Sequence, residues 1–216
     1  MQAKKNKNIQ IRTNKDCNQV FFLFTGFGEA LLMHPLEFFQ KCKLMDRNLV
    51  IFRDTNRKFY MNGVGEGIES FRELLNWIDD FLKDSPWISR VFCIGTSSGG
   101  AAAVMTGHHC LAEQVWAFSL TLPNSPIFCR RMGQAQLPRL VNPQKFLNKD
   151  NSKTEYHIYY NNNTVDAQYA SKLKNCRGVK LLPLPGSGHN VMNSIIEGGM
   201  LENLLPTYTN ETRGDK

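Results

Sequence analysis

The chain has 216 residues, 42% hydrophobic and 21% charged, a composition that suits one soluble globular domain with a sizeable buried core. Its net charge of +7 gathers at the start: residues 1–15 hold Lys4, Lys5, Lys7, Arg12 and Lys15 with no acidic group, and the remainder carries 21 basic against 19 acidic residues. This excludes a basic body able to track a phosphate backbone, so no nucleic-acid partner is expected, and no run of 18 or more apolar residues offers a membrane span.

Residues 1–18 read as a basic tail or edge strand, with no apolar stretch of the secretory kind. "QVFFLF" (19–24) is a buried strand ending in the glycine turn "TGFGE". "PLEFFQKCKLM" (35–45) predicts a helix with Pro35 in its first turn, and "NLVIF" (48–52) a second strand. In "IESFRELLNWIDDFL" (68–82), Ile68, Phe71, Leu75, Ile78 and Leu82 recur at helical steps and predict one apolar stripe. "SRVFCIG" (89–95) is a third strand, "SGGAAAVMTGHHC" (98–110) a helix of small residues, and "QVWAFSLTLP" (114–123) a fourth strand.

Residues 124–153 break the rhythm and predict a lid or insertion over a site. "EYHIYY" (155–160), "AQYASKLK" (167–174) and "VKLLPL" (179–184) restore strand, helix and strand. A closing helix follows at 189–206, interrupted near Gly198 and Gly199, before a polar tail at 207–216. The alternation predicts an α/β fold: a mostly parallel sheet of about six strands with helices on both faces, within a domain spanning 19–206. Ligands of such sheets gather beyond the carboxyl ends of the strands. The loops at 25–34, 53–67, 95–99, 123–150, 161–166 and 185–190 all fall there.

The six cysteines, Cys17, Cys42, Cys93, Cys110, Cys129 and Cys176, form no C-x-x-C pair and no spacing of a zinc site. Reduced thiols in a cytoplasm are the simplest expectation, with no metal and no cofactor.

Gly95-Thr96-Ser97-Ser98-Gly99 matches G-x-S-x-G between an apolar strand and a small-residue helix. Such a reversal forces its central serine into a strained backbone, and the glycines relieve the crowding. Ser97 would stand at a helix N-terminus, where free N–H groups favour developing negative charge. A serine hydroxyl needs a base to become a nucleophile. Of the five histidines, His34, His108, His109, His157 and His189, His157 sits inside a strand, and His108 and His109 lie too far along the helix after Ser97. His189, in the loop "PGSGHN" after the last strand, is the candidate base. Asp166, after "EYHIYY" and "NNNTV", can orient the imidazole or start the following helix as a cap.

This element, the later acid and the glycine-loop histidine resemble the α/β-hydrolase superfamily, in the form of a small single-domain serine hydrolase, over most of residues 19–206. The resemblance implies a Ser97–His189–Asp166 triad and an oxyanion hole from the Ser98 N–H and an N–H of the "TGFGE" loop, Phe27 or alternatively Gly26. The chain departs from the fuller pattern: it has no H-G-G-G element, and the early antiparallel strands shrink to at most one, "NIQIR". "FRDTNRKFYMNG" also resembles a feature of a subset of small α/β-hydrolases and brings Arg53, Asp54, Arg57 and Tyr60 to the site edge. There they would clamp a polar or anionic substrate group, or an Arg–Asp pair would brace the loop.

The expected function is serine-dependent hydrolysis of a small-molecule carboxylic ester or thioester through an acyl-enzyme. The same intermediate intercepted by an alcohol would make an acyltransferase, and a fold kept without catalysis would make a binding or scaffold module.

Overall fold

The computed structural model describes residues 6–28, 31, 33–122, 147 and 153–205. The described residues form strands β1 (Ile9–Arg12), β2 (Gln19–Phe24), β3 (Asn48–Phe52), β4 (Arg90–Thr96), β5 (Gln114–Phe118), β6 (Glu155–Asn161) and β7 (Val179–Leu184). Helices α1 (Pro35–Lys41), α2 (Phe71–Lys83), α3 (Ser98–His109), α4 (Val165–Ser171) and α5 (Val191–Glu197) alternate with them, and a 3-10 turn covers Leu201–Asn203. The insertion expected at 124–153 falls almost wholly outside the described residues, as does the tail expected at 207–216. Among the described residues no helix is long and apolar enough to cross a membrane.

The strands lie in one sheet in the order β1-β3-β2-β4-β5-β6-β7. Every pairing is parallel except β1 with β3, where Ile9 faces Phe52 and Arg12 faces Leu49. Within the segment read as a tail or edge strand, Ile9–Arg12 is an antiparallel edge strand.

β2 and β3 are buried at every position, because helices cover both faces. On one face Phe22, Phe24, Phe52 and Cys93 pack with Leu74 and Ile78 of α2, Ala101–Val104 of α3 and Tyr169 of α4. On the other, Phe21, Leu23, Phe92 and Trp116 meet Phe38 and Phe39 of α1 and Val191, Met192 and Ile195 of α5. Each wholly buried phenylalanine contributes roughly 2–3 kcal/mol of transfer free energy.

Several element ends differ from the sequence expectation, among them the helix expected at 167–174, which is Val165–Ser171, and the closing helix, which is Val191–Glu197; three have a local reason. Helix α1 stops at Lys41 because Lys43 turns left-handed, with φ 57°. Helix α2 starts at Phe71, not Ile68: the Ser70 side chain accepts the Glu73 N–H at 3.2 Å, and the Glu73 carboxylate takes the Glu69 N–H at 2.6 Å. Ile68 instead closes a tight turn onto Gly65. In α2 the buried positions are Leu74 and Ile78, with Leu75 only half-buried. Strand β5 ends at Phe118, short of residue 123, because Ser119 adopts φ 49°.

Candidate active site

The reversal from β4 into α3 is built on close backbone approach. A Cβ on Gly95 would fall 2.2 Å from the Gly99 carbonyl oxygen and 2.8 Å from Ala103 Cβ. A Cβ on Gly99 would fall 2.2 Å from the Phe24 oxygen and 2.6 Å from that of Thr25. Only glycine lets the first turn of α3 lie on the end of β2. Between them Ser97 takes φ 53° and ψ −119°, a conformation costing roughly 1–3 kcal/mol for a residue with a side chain. Its surroundings hold it there: the Ser97 N–H donates to Phe118 O at 2.8 Å, and Ser97 O accepts the N–H groups of Gly100 and Thr121, each at 3.1 Å.

The half-buried Ser97 hydroxyl lies 2.8 Å from His189 Nε2. His189 Nδ1 lies 2.9 and 3.0 Å from the two oxygens of Asp166. An ionised carboxylate only accepts, so the imidazole carries its proton on Nδ1 and leaves Nε2 free to accept from Ser97. Asp166 is 4% exposed, whereas the His189 side chain is 46% exposed. Asp166 is the second residue of α4 and not its cap; that position belongs to Thr164, whose hydroxyl donates to Asn161 O at 2.7 Å. Sequence reasoning thus named three residues from the ends of three different strands that stand in one hydrogen-bonded line.

Two of the other histidines are engaged elsewhere. His157 stacks on Trp116 and approaches Glu155 at 3.3 Å, and burial lowers its pKa. His109 pairs with Asp79 at 2.9 Å. His34 precedes α1 with no side-chain cap bond. Among the described residues no group of His, Cys, Asp and Glu could hold a metal ion. Cys17, Cys42, Cys93, Cys110 and Cys176 are free thiols, and burial pushes those of Cys42 and Cys110 up to about 12. Cys129 lies outside the described residues.

The turn after β2 touches Ser97: a Cβ on Gly26 would lie 3.4 Å from Ser97 Cβ. Phe27 is half-buried and meets Phe59 edge-on at 5.3 Å. Ser98 opens α3, wholly buried, at the end where helical N–H groups have no partner within the helix.

The 53–60 loop does not sit as expected. Arg53 runs back to β1, its Nη2 donating to Gln10 Oε1 at 2.9 Å, and Arg57 is exposed at φ 54°. Asp54 is 1% exposed and accepts the Tyr60 N–H at 3.0 Å, so backbone rather than an arginine side chain braces the loop. Tyr60 is fully buried, and its hydroxyl donates to the carbonyls of Thr25 and Phe52, both at 2.9 Å. A side chain so enclosed cannot touch a substrate. Its expected place at the site edge is corrected: burial of the ring among Phe24 and Phe52 draws it inward, beneath the turn that holds Gly26 and Phe27.

Sequence reading missed a second set of groups. Ser119 donates its hydroxyl to His189 O and accepts the Val191 N–H at 3.2 Å. Asn161 Nδ2 donates to Gly188 O at 3.1 Å, and its Oδ1 accepts from Ser194 Oγ at 2.9 Å. Ser119 was the readable signal, a hydroxyl inside an apolar run next to the strand bearing Ser97.

Neither family models nor curated proteins match this chain in sequence. Solved structures do match it in shape. Est1E from Butyrivibrio proteoclasticus, determined with ferulic acid bound, superposes with a TM-score of 0.62 over 91% of this chain and 93% of that one, at 12% identity. MenH from S. aureus gives 0.62 over 92% and 97%, at 14% identity. A lipase-esterase related protein from Clostridium acetobutylicum gives 0.54 over 91% and 97%, at 15% identity. The chain has the α/β-hydrolase fold. Within that fold β4 and α3 are the strand and helix flanking Ser97, and the site lies at the carboxyl edge of the sheet.

Proposed function

We propose that this α/β-hydrolase-fold chain is a serine hydrolase of small-molecule carboxylic esters or thioesters. The observation that carries the reading is the line from Ser97 Oγ through His189 to Asp166, with every link at 3.0 Å or less. Ser97 Oγ attacks the substrate carbonyl carbon while its proton passes to Nε2. Asp166 stabilises the imidazolium and keeps its Nδ1 proton in place. The N–H groups of Ser98 and Phe27, or Gly26, receive the oxyanion, a contribution of roughly 3–4 kcal/mol per donor. Collapse of the tetrahedral adduct expels the alcohol or thiol, which takes the proton from Nε2. Water then attacks the acyl-serine, giving its proton to Nε2, and collapse of this second adduct releases the acid as Ser97 Oγ takes that proton back. No step calls for a metal or organic cofactor.

Support beyond the geometry comes from the fold neighbours: Est1E was solved with ferulic acid, a carboxylic acid of the kind that ester hydrolysis releases. The decisive experiment is labelling by an alkyl fluorophosphonate, read by intact mass and peptide mapping. A single adduct on Ser97, absent from Ser97→Ala, is expected, together with turnover on a panel of short-chain esters and thioesters. A folded protein that never labels overturns the proposal.

A further inference from the structure

We propose that Ser119 is a positioning residue that sets where the His189 imidazole stands, with Asn161 as a second tether on the same loop. This rests on reading His189 as the general base. The imidazole is half-exposed, and its ring bonds are those to Asp166 and Ser97. It hangs from an exposed stretch, residues 185–189, in which Gly186 and Gly188 take φ 157° and 84°. Such a stretch has wide backbone freedom unless something else holds it.

The side chains at the ends of β5 and β6 supply that hold. Ser119 is wholly buried, and its own N–H donates to Tyr159 O at 2.9 Å, which fixes it to β6. Its one hydroxyl proton goes to the His189 carbonyl, and its lone pair takes the Val191 amide at 3.2 Å. A single side chain thus grips the backbone on both sides of Asn190. Asn161, 1% exposed, holds the carbonyl one residue before His189 while Ser194 of α5 fixes its amide oxygen. The loop presses on that pair: a Cβ on Gly186 would fall 2.5 Å from Ser194 Oγ and 2.8 Å from Asn161 Oδ1. The left-handed φ of 49° at Ser119, unusual for a residue with a side chain, turns the chain there. Displacing a reacting group by about 1 Å costs on the order of 100-fold in rate.

The test compares fluorophosphonate labelling of Ser97, and ester kcat and KM across pH, in wild type, Ser119→Ala, His189→Ala and the double variant. The expected result is a fall of about 10- to 100-fold in labelling rate and kcat for Ser119→Ala, with KM within about twofold of wild type. In the His189→Ala background Ser119→Ala should change the residual rate by less than about twofold, because there is no imidazole left to position. If Ser119→Ala does not fold, Asn161→Ala carries the same comparison on the second tether. Wild-type rates in the folded variant, or a loss that persists undiminished without His189, overturn the inference. A wild-type protein that never labels at Ser97 instead overturns the hydrolase reading on which it rests.

Discussion

The two flanks of Ser97 are held in different ways. On the histidine flank, Ser119 and Asn161 hold the loop by directed hydrogen bonds from side chains to backbone. On the other flank, the turn carrying Gly26 and Phe27 rests on rings: Phe24 stacks on Phe52 at 4.9 Å, Tyr60 meets Phe24 edge-on at 5.4 Å, and Phe59 meets Phe27 at 5.3 Å. The difference matches what each flank would present. An imidazole must satisfy partners at both ends of its ring, so its loop needs directional restraint. A backbone N–H is carried by the chain itself, and there dense apolar packing does most of the fixing, with the Tyr60 hydroxyl on Thr25 O as its directed side-chain bond.

The largest effects are expected on the polar flank, at its chemistry. His189→Ala and Asp166→Asn should each lower ester turnover by about 10⁴-fold. Asparagine at 166 can donate to Nδ1, which moves the ring proton to Nε2 and leaves nothing to accept from Ser97. The imidazole is half-exposed, so water can take its place beside Asp166, and its removal should cost no more than about 1 kcal/mol of unfolding free energy. Equilibrium unfolding beside kinetics would check this, and a large stability loss in His189→Ala would blur the contrast between the flanks.

On the aromatic flank the balance reverses. Tyr60→Phe keeps the ring but removes the hydroxyl that the carbonyls of Thr25 and Phe52 share. The expected cost is about 1–3 kcal/mol of stability. Thr25 O would then lose its tie to the 53–60 loop, while its N–H still reaches Phe52 O at 3.2 Å. Turnover should therefore fall by less than about tenfold, far below the loss at His189. Thermal melts and kcat/KM measured on one preparation separate the two quantities; a loss as deep as that of His189→Ala, with stability intact, would place Tyr60 in the chemistry after all.

The sequence makes some of this legible and hides the rest for identifiable reasons. Ser97, Asp166 and His189 stand out because each is a chemically distinctive residue in the turn or first helical residues just past an apolar strand. The parallel architecture puts all those loops at one edge. His157 was separable because a histidine in mid-strand must pack, as it does on Trp116. The inward turn of Tyr60 was not readable. It depends on left-handed backbone at Arg57, Phe59 and Tyr60, residue types that give no hint of it. At Ser119 the hydroxyl itself was visible in the apolar run, but the left-handed φ that ends β5 there, inside what reads as one continuous strand, was not.

The smallest predicted effect lies in the brace beneath the aromatic flank. One oxygen of Asp54 accepts the Tyr60 N–H, and the other is buried without a hydrogen-bond partner. Burial raises the pKa of this carboxyl above its ordinary 3.8, and backbone N–H groups of residues 57–60 only partly pull it back. The folded state therefore binds the proton more tightly than the unfolded chain does. By linkage, the stabilisation this gives is fully present below the unfolded value, falls as pH rises through the raised folded value, and is gone above it. Asp54→Asn keeps an acceptor for Tyr60 but has no charge to bury. The gap between the two stability curves should move in favour of asparagine as pH climbs from 3.8 towards neutrality, whatever its size in acid. Urea midpoints measured across that range check it, and a gap that stays constant or moves towards aspartate would mean that the backbone donors, not burial, govern this carboxylate.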